Sequence, residues 1–123
     1  MPVSWTISQG FVYVVSDEHW TLEEWMTSVD ALLADPRYEP GMGLLHDRRR
    51  TARTPFSQEV RAAVDFIRAR ADALGKARWG LVVEGLAGYG MGRMAEALID
   101  GSSIELRVFR DLAVAEAWVR GRG

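Results

Sequence analysis

Two runs of β-branched and aromatic residues open the chain, Val3 to Ser8 and Phe11 to Ser16, separated by Gln9-Gly10. Short β-prone runs joined by a two-residue, glycine-containing link predict a hairpin. The period then changes. Leu22, Trp25, Met26, Val29, Leu32 and Leu33 recur at the i, i+3, i+4, i+7 spacing of one helix face. In front of them Thr21-Leu22-Glu23-Glu24 has the Thr-x-x-Glu form of a capping box, which satisfies two of the orphan amide donors at a helix start. Asp35-Pro36 ends this helix, because the residue before a proline is pushed out of the α region.

Gly43-Leu44-Leu45-His46-Asp47 is a short apolar run closing on polar residues, the pattern of a buried parallel strand. After an arginine-rich loop, Thr54-Pro55 or Ser57 opens a second helix, with Val60, Ala63, Val64, Ile67, Ala71 and Leu74 inward and Gly75 as its C-cap. Trp79 to Val83 reads as another buried strand. Tyr89 to Ile99 reads as a third helix with Met91, Met94, Ala95 and Leu98 inward, and Ile104 to Phe109 as the last strand. Asp111 caps a final helix carrying Leu112, Ala115 and Trp118. The order β-β-α-β-α-β-α-β-α predicts an α/β fold with a mainly parallel sheet, an N-terminal antiparallel strand and about four helices. With no internal repeat, low-complexity tract or linker, residues 1–123 are expected to form one domain.

Composition adds exclusions. Hydrophobic residues make up 48% and charged residues 26%, the balance of a globular protein. A formal net charge of -2 provides no global field to recruit nucleic acid or an anionic membrane. The absence of cysteine removes disulfides, thiolate nucleophiles and Cys-based metal sites together. Met1-Pro2-Val3-Ser4-Trp5 lacks the basic region and apolar run of a signal peptide, and no stretch approaches the roughly 18 apolar residues of a spanning helix. The expectation is a soluble, cytoplasmic protein. Arginine supplies 14 of the 15 basic residues, which reflects genome composition as readily as chemistry.

Gly88-Tyr89-Gly90-Met91-Gly92-Arg93-Met94, followed by Arg107-Val108-Phe109-Arg110-Asp111 and Ala115-Glu116-Ala117-Trp118, resembles the SpoIIAA-like family. That family is a branch of the STAS superfamily (sulfate transporter and anti-sigma-factor antagonist). The resemblance extends over nearly the whole chain, since the order of elements agrees from the first hairpin onward. It implies a sheet with helices packed around it, and a non-enzymatic role in binding or regulation. Anti-sigma-factor antagonists carry a phosphorylatable serine in an Asp-Ser-Ser-Gly-like motif, where the helix after the central strand begins. The stretch from His46 to Ser57 holds no such motif, so the sigma-factor switch does not carry over.

Four features remain as candidate chemistry. Gly90-Met91-Gly92-Arg93-Met94-Ala95 fits the G-x-G-x-x-A pattern of dinucleotide sites, with Asp111 placed 21 residues past Gly90 like a ribose-binding acid. It belongs to the last full crossover, with too little chain left for a mononucleotide half. The bland alternative is that Gly88, Gly90 and Gly92 permit a tight loop and close helix–sheet packing, with Asp111 a helix cap. No cofactor is expected. The arginine loop is different: Arg48, Arg49, Arg50 and Arg53, with Thr54 and Ser57, belong at the carboxyl end of the sheet, where open α/β folds bind ligands. Guanidinium forks and helix N-terminal amides make an anion site there, and phosphate on Thr51, Thr54 or Ser57 could be held by the same arginines. The alternative is a solvated loop whose arginines pair with some of the 17 acidic residues.

His46-Asp47 lacks a nucleophile in a G-x-S-x-G turn, and His19 and His46 without a spaced carboxylate make no metal site. They read as strand-end residues satisfying loop amides, so neither catalytic nor metal-ligating residues are assigned. The five tryptophans read mostly as core, with a second reading in which some join Tyr89, Met91 and Met94 around an apolar cavity or a homodimer face. The expected function is a non-enzymatic, STAS-like binding or regulatory module. It would act on a protein partner or small anion at the loop after the His46-Asp47 strand, and is expected to be a homodimer. The alternative is a carrier or sensor of a small apolar or amphipathic ligand, associated with membrane surfaces.

Overall fold

The computed structural model describes residues 2–121. Its elements are β1 (Val3–Ser8), β2 (Phe11–Ser16), α1 (Leu22–Ala34), β3 (Gly43–Asp47), α2 (Ser57–Ala69), α3 (Ala71–Leu74), β4 (Ala77–Val82), α4 (Leu86–Ile99), β5 (Ile104–Phe109) and α5 (Leu112–Val119). The first two strands form the predicted hairpin. Gln9 and Gly10 both take positive φ, 52° and 81°, the left-handed pair that matches the twist of a two-residue turn. Thr21 caps α1 by accepting from the Glu24 amide at 3.1 Å. The Glu24 carboxylate returns to the Thr21 hydroxyl at 3.3 Å, so the reciprocal arm of the box closes on a side chain.

The sheet runs β1-β2-β3-β4-β5, with β1 antiparallel to β2 and every later pair parallel. Right-handed crossovers between strands added in sequence order carry α1, α2 and α4 to one face. The pleat then divides the strands between two cores. Toward these three helices point Val12, Val14, Leu44, Trp79 and Ile104, buried with Trp25, Val29, Leu32, Val64, Ile67 and Ile99. Toward the other face point Phe11, Leu45 and Val82, covered by Ala115, Trp118 and Val119 of α5. That helix comes close because the strands carry glycine beneath it. A Cβ on Gly80 would lie 2.7 Å from Val119 Cγ2.

Three boundaries differ from expectation, each for a tertiary reason. The second predicted helix is two: the backbone opens at Arg70 (φ -109°, ψ 11°), and α3 is a single turn that buries Leu74 and ends on Gly75 as predicted. Five helical segments therefore replace the expected four. Strand β4 starts at Ala77 rather than Trp79, because Ala77 and Arg78 pair with Ile104 and Glu105. Helix α4 begins at Leu86, not Tyr89, so Gly88, Gly90 and Gly92 are helical and form no loop. Glycine propensity argues against that helix by up to about 1 kcal/mol per residue, and packing overrides it. A Cβ on Gly92 would sit 2.4 Å from Val108 Cγ2, so only glycine lets α4 lie this close to β5. Among the described residues no helix is long and apolar enough to cross a membrane.

Candidate functional site

Between the sheet and helices α1, α2 and α4 lies a cavity of about 210 Å³, open at the carboxyl end of the strands. Its floor is a rung of neighbours across three strands, Leu44, Trp79 and Leu106, with His46 and Leu81 on the next rung. Trp25 comes from α1, Val60, Ala63 and Ile67 from α2, and Met91, Gly92 and Ala95 from α4. Small side chains on the two facing helices (Ala63, Gly88, Gly92, Ala95) leave this space unfilled. The mouth is formed by Arg48, Arg49 and the segment Thr51 to Pro55, together with Trp20, Val83 and Glu84.

Polar groups gather at the mouth and at the strand ends. Ser16 and His46 stand on adjacent parallel strands, with Ser16 Oγ 2.7 Å from His46 Nε2. Ser16 is fully buried and His46 8% exposed. Burial holds the imidazole neutral, its pKa lowered to about 3, and the Arg48 cation pushes the same way. A hydroxyl so enclosed presents no accessible nucleophile. Asp47 completes no triad, because it points to the opposite face: it accepts from the Tyr13 hydroxyl at 3.3 Å and from the Arg49 amide and guanidinium at 3.0 and 2.8 Å. Burial opposes its ionisation, but the hydrogen bonds from Arg49 prevail and its pKa is lowered. Asp47 thus satisfies a loop amide as expected, whereas His46 bonds Ser16 instead.

The four arginines of the predicted site separate into distinct roles. Arg49 is paired with Asp47, and Arg53 grips Glu59 with two bonds of 2.7 and 2.9 Å. Glu59 also accepts from the Phe56 amide at 2.9 Å, so a carboxylate of the chain itself occupies the expected anion-binding start of α2. Arg50 is exposed and does not line the cavity. Arg48 lies over the Trp20 indole, 4.1 Å from the ring centroid, and no ion pair among the described residues includes it. Its Nη2 is sealed from solvent and has no hydrogen-bond partner. Burial lowers its pKa to about 10, with Arg53 adding to the effect.

The structure therefore brings Arg48, Arg49, Arg53, Thr54 and Met91 together on the cavity wall. It leaves Ser57, Tyr89 and Met94 off it. Trp20, Trp25 and Trp79 are buried and line the cavity, while Trp118 belongs to the second core and Trp5 is half-buried. Ser16, His46, Ala63 and Glu59 were not singled out as binding residues. The alternating Val12-Val14-Ser16 face of β2, ending on a hydroxyl opposite a histidine, was the available signal. The dinucleotide pattern has no loop to act from: Gly90 and Gly92 lie within α4, and Asp111 caps α5 by accepting from the Val114 amide at 3.0 Å.

No protein-family model matches the chain, and no curated protein matches it. A solved structure does. The chain is similar to the crystal structure of an uncharacterised protein of the DUF3478 family with a SpoIIAA-like fold, from Shewanella loihica PV-4. The TM-score is 0.61 over 95% of this chain and 91% of that one, at 16% sequence identity. A chain this different in sequence that superposes over almost its full length shares the architecture: this protein has the SpoIIAA-like α/β fold that its sequence resembles.

Proposed function

We propose that this chain is a binding module that admits a small amphipathic ligand to the cavity beneath the arginine loop. One observation carries the reading: an apolar cavity of about 210 Å³, walled by three tryptophans, opens where the loop places its charges. This reading draws on part of each expectation from the sequence, because Met91 lines the same cavity as Arg48, Arg49, Arg53 and Thr54 while Tyr89 and Met94 do not. An apolar cavity of about 150 Å³ accommodates benzene, so the space suits a ligand of about ten non-hydrogen atoms. The buried Ser16 hydroxyl and the weakly basic His46 support a binding role rather than a hydrolytic one. A protein partner reading the loop would then sense whether the cavity is filled.

Native mass spectrometry of the purified protein tests this, together with titration of its tryptophan fluorescence with short-chain amphiphiles. Saturable quenching is expected for the wild type and not for Ala63→Phe, whose ring fills the cavity between α2 and the sheet. Absence of both a co-purified ligand and any saturable response would overturn the proposal.

A further inference from the structure

The polar lining of the cavity is one-sided in its hydrogen-bonding character. Ser16 Oγ is fully buried, and its one hydrogen bond among the described residues is to His46 Nε2. A buried hydroxyl must place its proton somewhere, so Ser16 donates and Nε2 accepts. The proton of the neutral ring is then on Nδ1. That nitrogen has no partner among the described residues, and His46 lines the cavity. Next to it, the half-buried Arg48 lines the same cavity with no ion-pair partner and with Nη2 unsatisfied, Glu59 acting on it only from beyond contact distance. A largely desolvated cation without a contacting anion is costly, and the cost is relieved when a ligand supplies one. Both groups donate; neither accepts.

The carboxylates on the wall do not fill this role. Glu59 is committed to Arg53 and to the Phe56 amide, and Glu84 is exposed at the rim. Arg49 and Arg53 are likewise committed, which leaves one unpaired cation in the site. A single cation flanked by a neutral donor matches a monoanion with two acceptor oxygens. A dianionic phosphate would need more positive charge than the site has free. Below this pair the lining is Leu44, Trp79, Val64 and Ile67, with no charge to meet a polar tail.

Resting on the proposed binding role, the geometry points to a monocarboxylate ligand whose carboxylate is held by Arg48 and the Nδ1–H of His46, with its short alkyl or aryl body against Trp79 and Leu44. Ser16 acts as a positioning residue, since its hydroxyl selects the tautomer that offers a donor to the cavity.

Octanoate and 3-phenylpropanoate are the probes, each compared with its alcohol (1-octanol, 3-phenylpropan-1-ol) and with octyl phosphate, by calorimetry and tryptophan fluorescence at pH 7. Each acid is expected to bind at least tenfold more tightly than its alcohol. In Arg48→Met that preference disappears while the alcohol affinities stay within about twofold; Arg48→Lys restores part of it. The alkyl and aryl acids, read against each other, identify which body fits. Equal binding of acid and alcohol by the wild type would overturn the carboxylate subsite and leave cavity binding standing. Tighter binding of octyl phosphate than octanoate would overturn the monoanion assignment, and a preference that persists in Arg48→Met would remove Arg48 from the site. Failure of every probe, alcohols included, would instead overturn the binding role itself.

Discussion

Arg48 and Trp20 form a stacked pair at the mouth of the cavity, the guanidinium carbon 4.1 Å from the indole centroid. Arg53 stands 4.6 Å from the same ring while holding Glu59, so one buried tryptophan organises both the free and the paired arginine of the loop. Attraction between a partly desolvated cation and an indole face is worth about 0.5–2 kcal/mol, enough to hold a side chain in place but not to replace an anion. Trp20 thereby ties the start of α1 to the loop after β3, two segments that the chain order separates.

Replacing Trp20 with alanine is expected to remove about 3–5 kcal/mol of folding stability, the usual cost of deleting a buried aromatic. Urea denaturation checks the size. Trp20→Phe keeps an aromatic face beneath the arginines and should lose less than half as much; equal losses would show that this face is unimportant.

Gly92 and Gly90 should respond to alanine in opposite directions, although they stand two residues apart in one helix. At Gly92 the new methyl would meet Val108 Cγ2 at 2.4 Å, an overpacking that costs about 1–3 kcal/mol. At Gly90 nothing lies within 4 Å, so alanine should stabilise by up to about 1 kcal/mol through helix propensity. Paired chemical denaturation curves decide the matter, and two shifts of the same sign would contradict the packing described for α4.

His46 makes stability depend on pH. Its pKa falls from 6.5 in the unfolded chain to about 3 in the folded one. Between these values the unfolded state binds a proton that the native state refuses, so stability falls as pH falls through this window. The groups acting on His46 are Ser16 and Arg48 on its own face and the Asp47 charge from the opposite one, and none titrates upward through this window. Between pH 6.5 and 5 the single group accounts for about 2 kcal/mol. Comparing wild type with His46→Gln across pH 5–7 should show the steeper decline in the wild type. Parallel curves would contradict the assignment.

Arg68 reaches from α2 to the far end of α4, donating to the Leu98 carbonyl at 2.8 Å and to Asp100 at 2.7 Å. Helix α4 has no basic residue in its own last turn, so this side chain supplies the missing C-terminal cation. Arg68→Met is expected to cost about 1 kcal/mol and to raise amide exchange first in the last turn of α4. Uniform exchange through the helix would argue against a local capping role.

Much of the architecture was legible because it is local. The Leu22-Trp25-Val29-Leu32 stripe, the Thr21 cap, the proline stop and the Gln9-Gly10 turn each act within a few residues and reappear as read. The start of α4 was not legible for the same kind of reason. Gly88, Gly90 and Gly92 speak locally for a loop, and the counterweight is Val108, sixteen residues beyond Gly92. The site was legible in part. Arg48, Arg49, Arg53, Thr54 and Met91 were on the right surface, but nothing in the run of arginines distinguishes the unpaired one from its neighbours.

The sequence by itself determined the element order, the class of fold and the end of the sheet at which ligand chemistry would gather, since periodicity, caps and crossover handedness depend on neighbours in the chain. Tertiary structure alone decided that Arg49 is spent on Asp47, that Glu59 closes the start of α2, and that Ser16 orients His46. It also decided that small residues on two helices leave a cavity between them. Those outcomes depend on distances between strands and helices brought together by folding: burial raises the cost of an unmatched charge, and only the assembled core shows which charge is left without a partner.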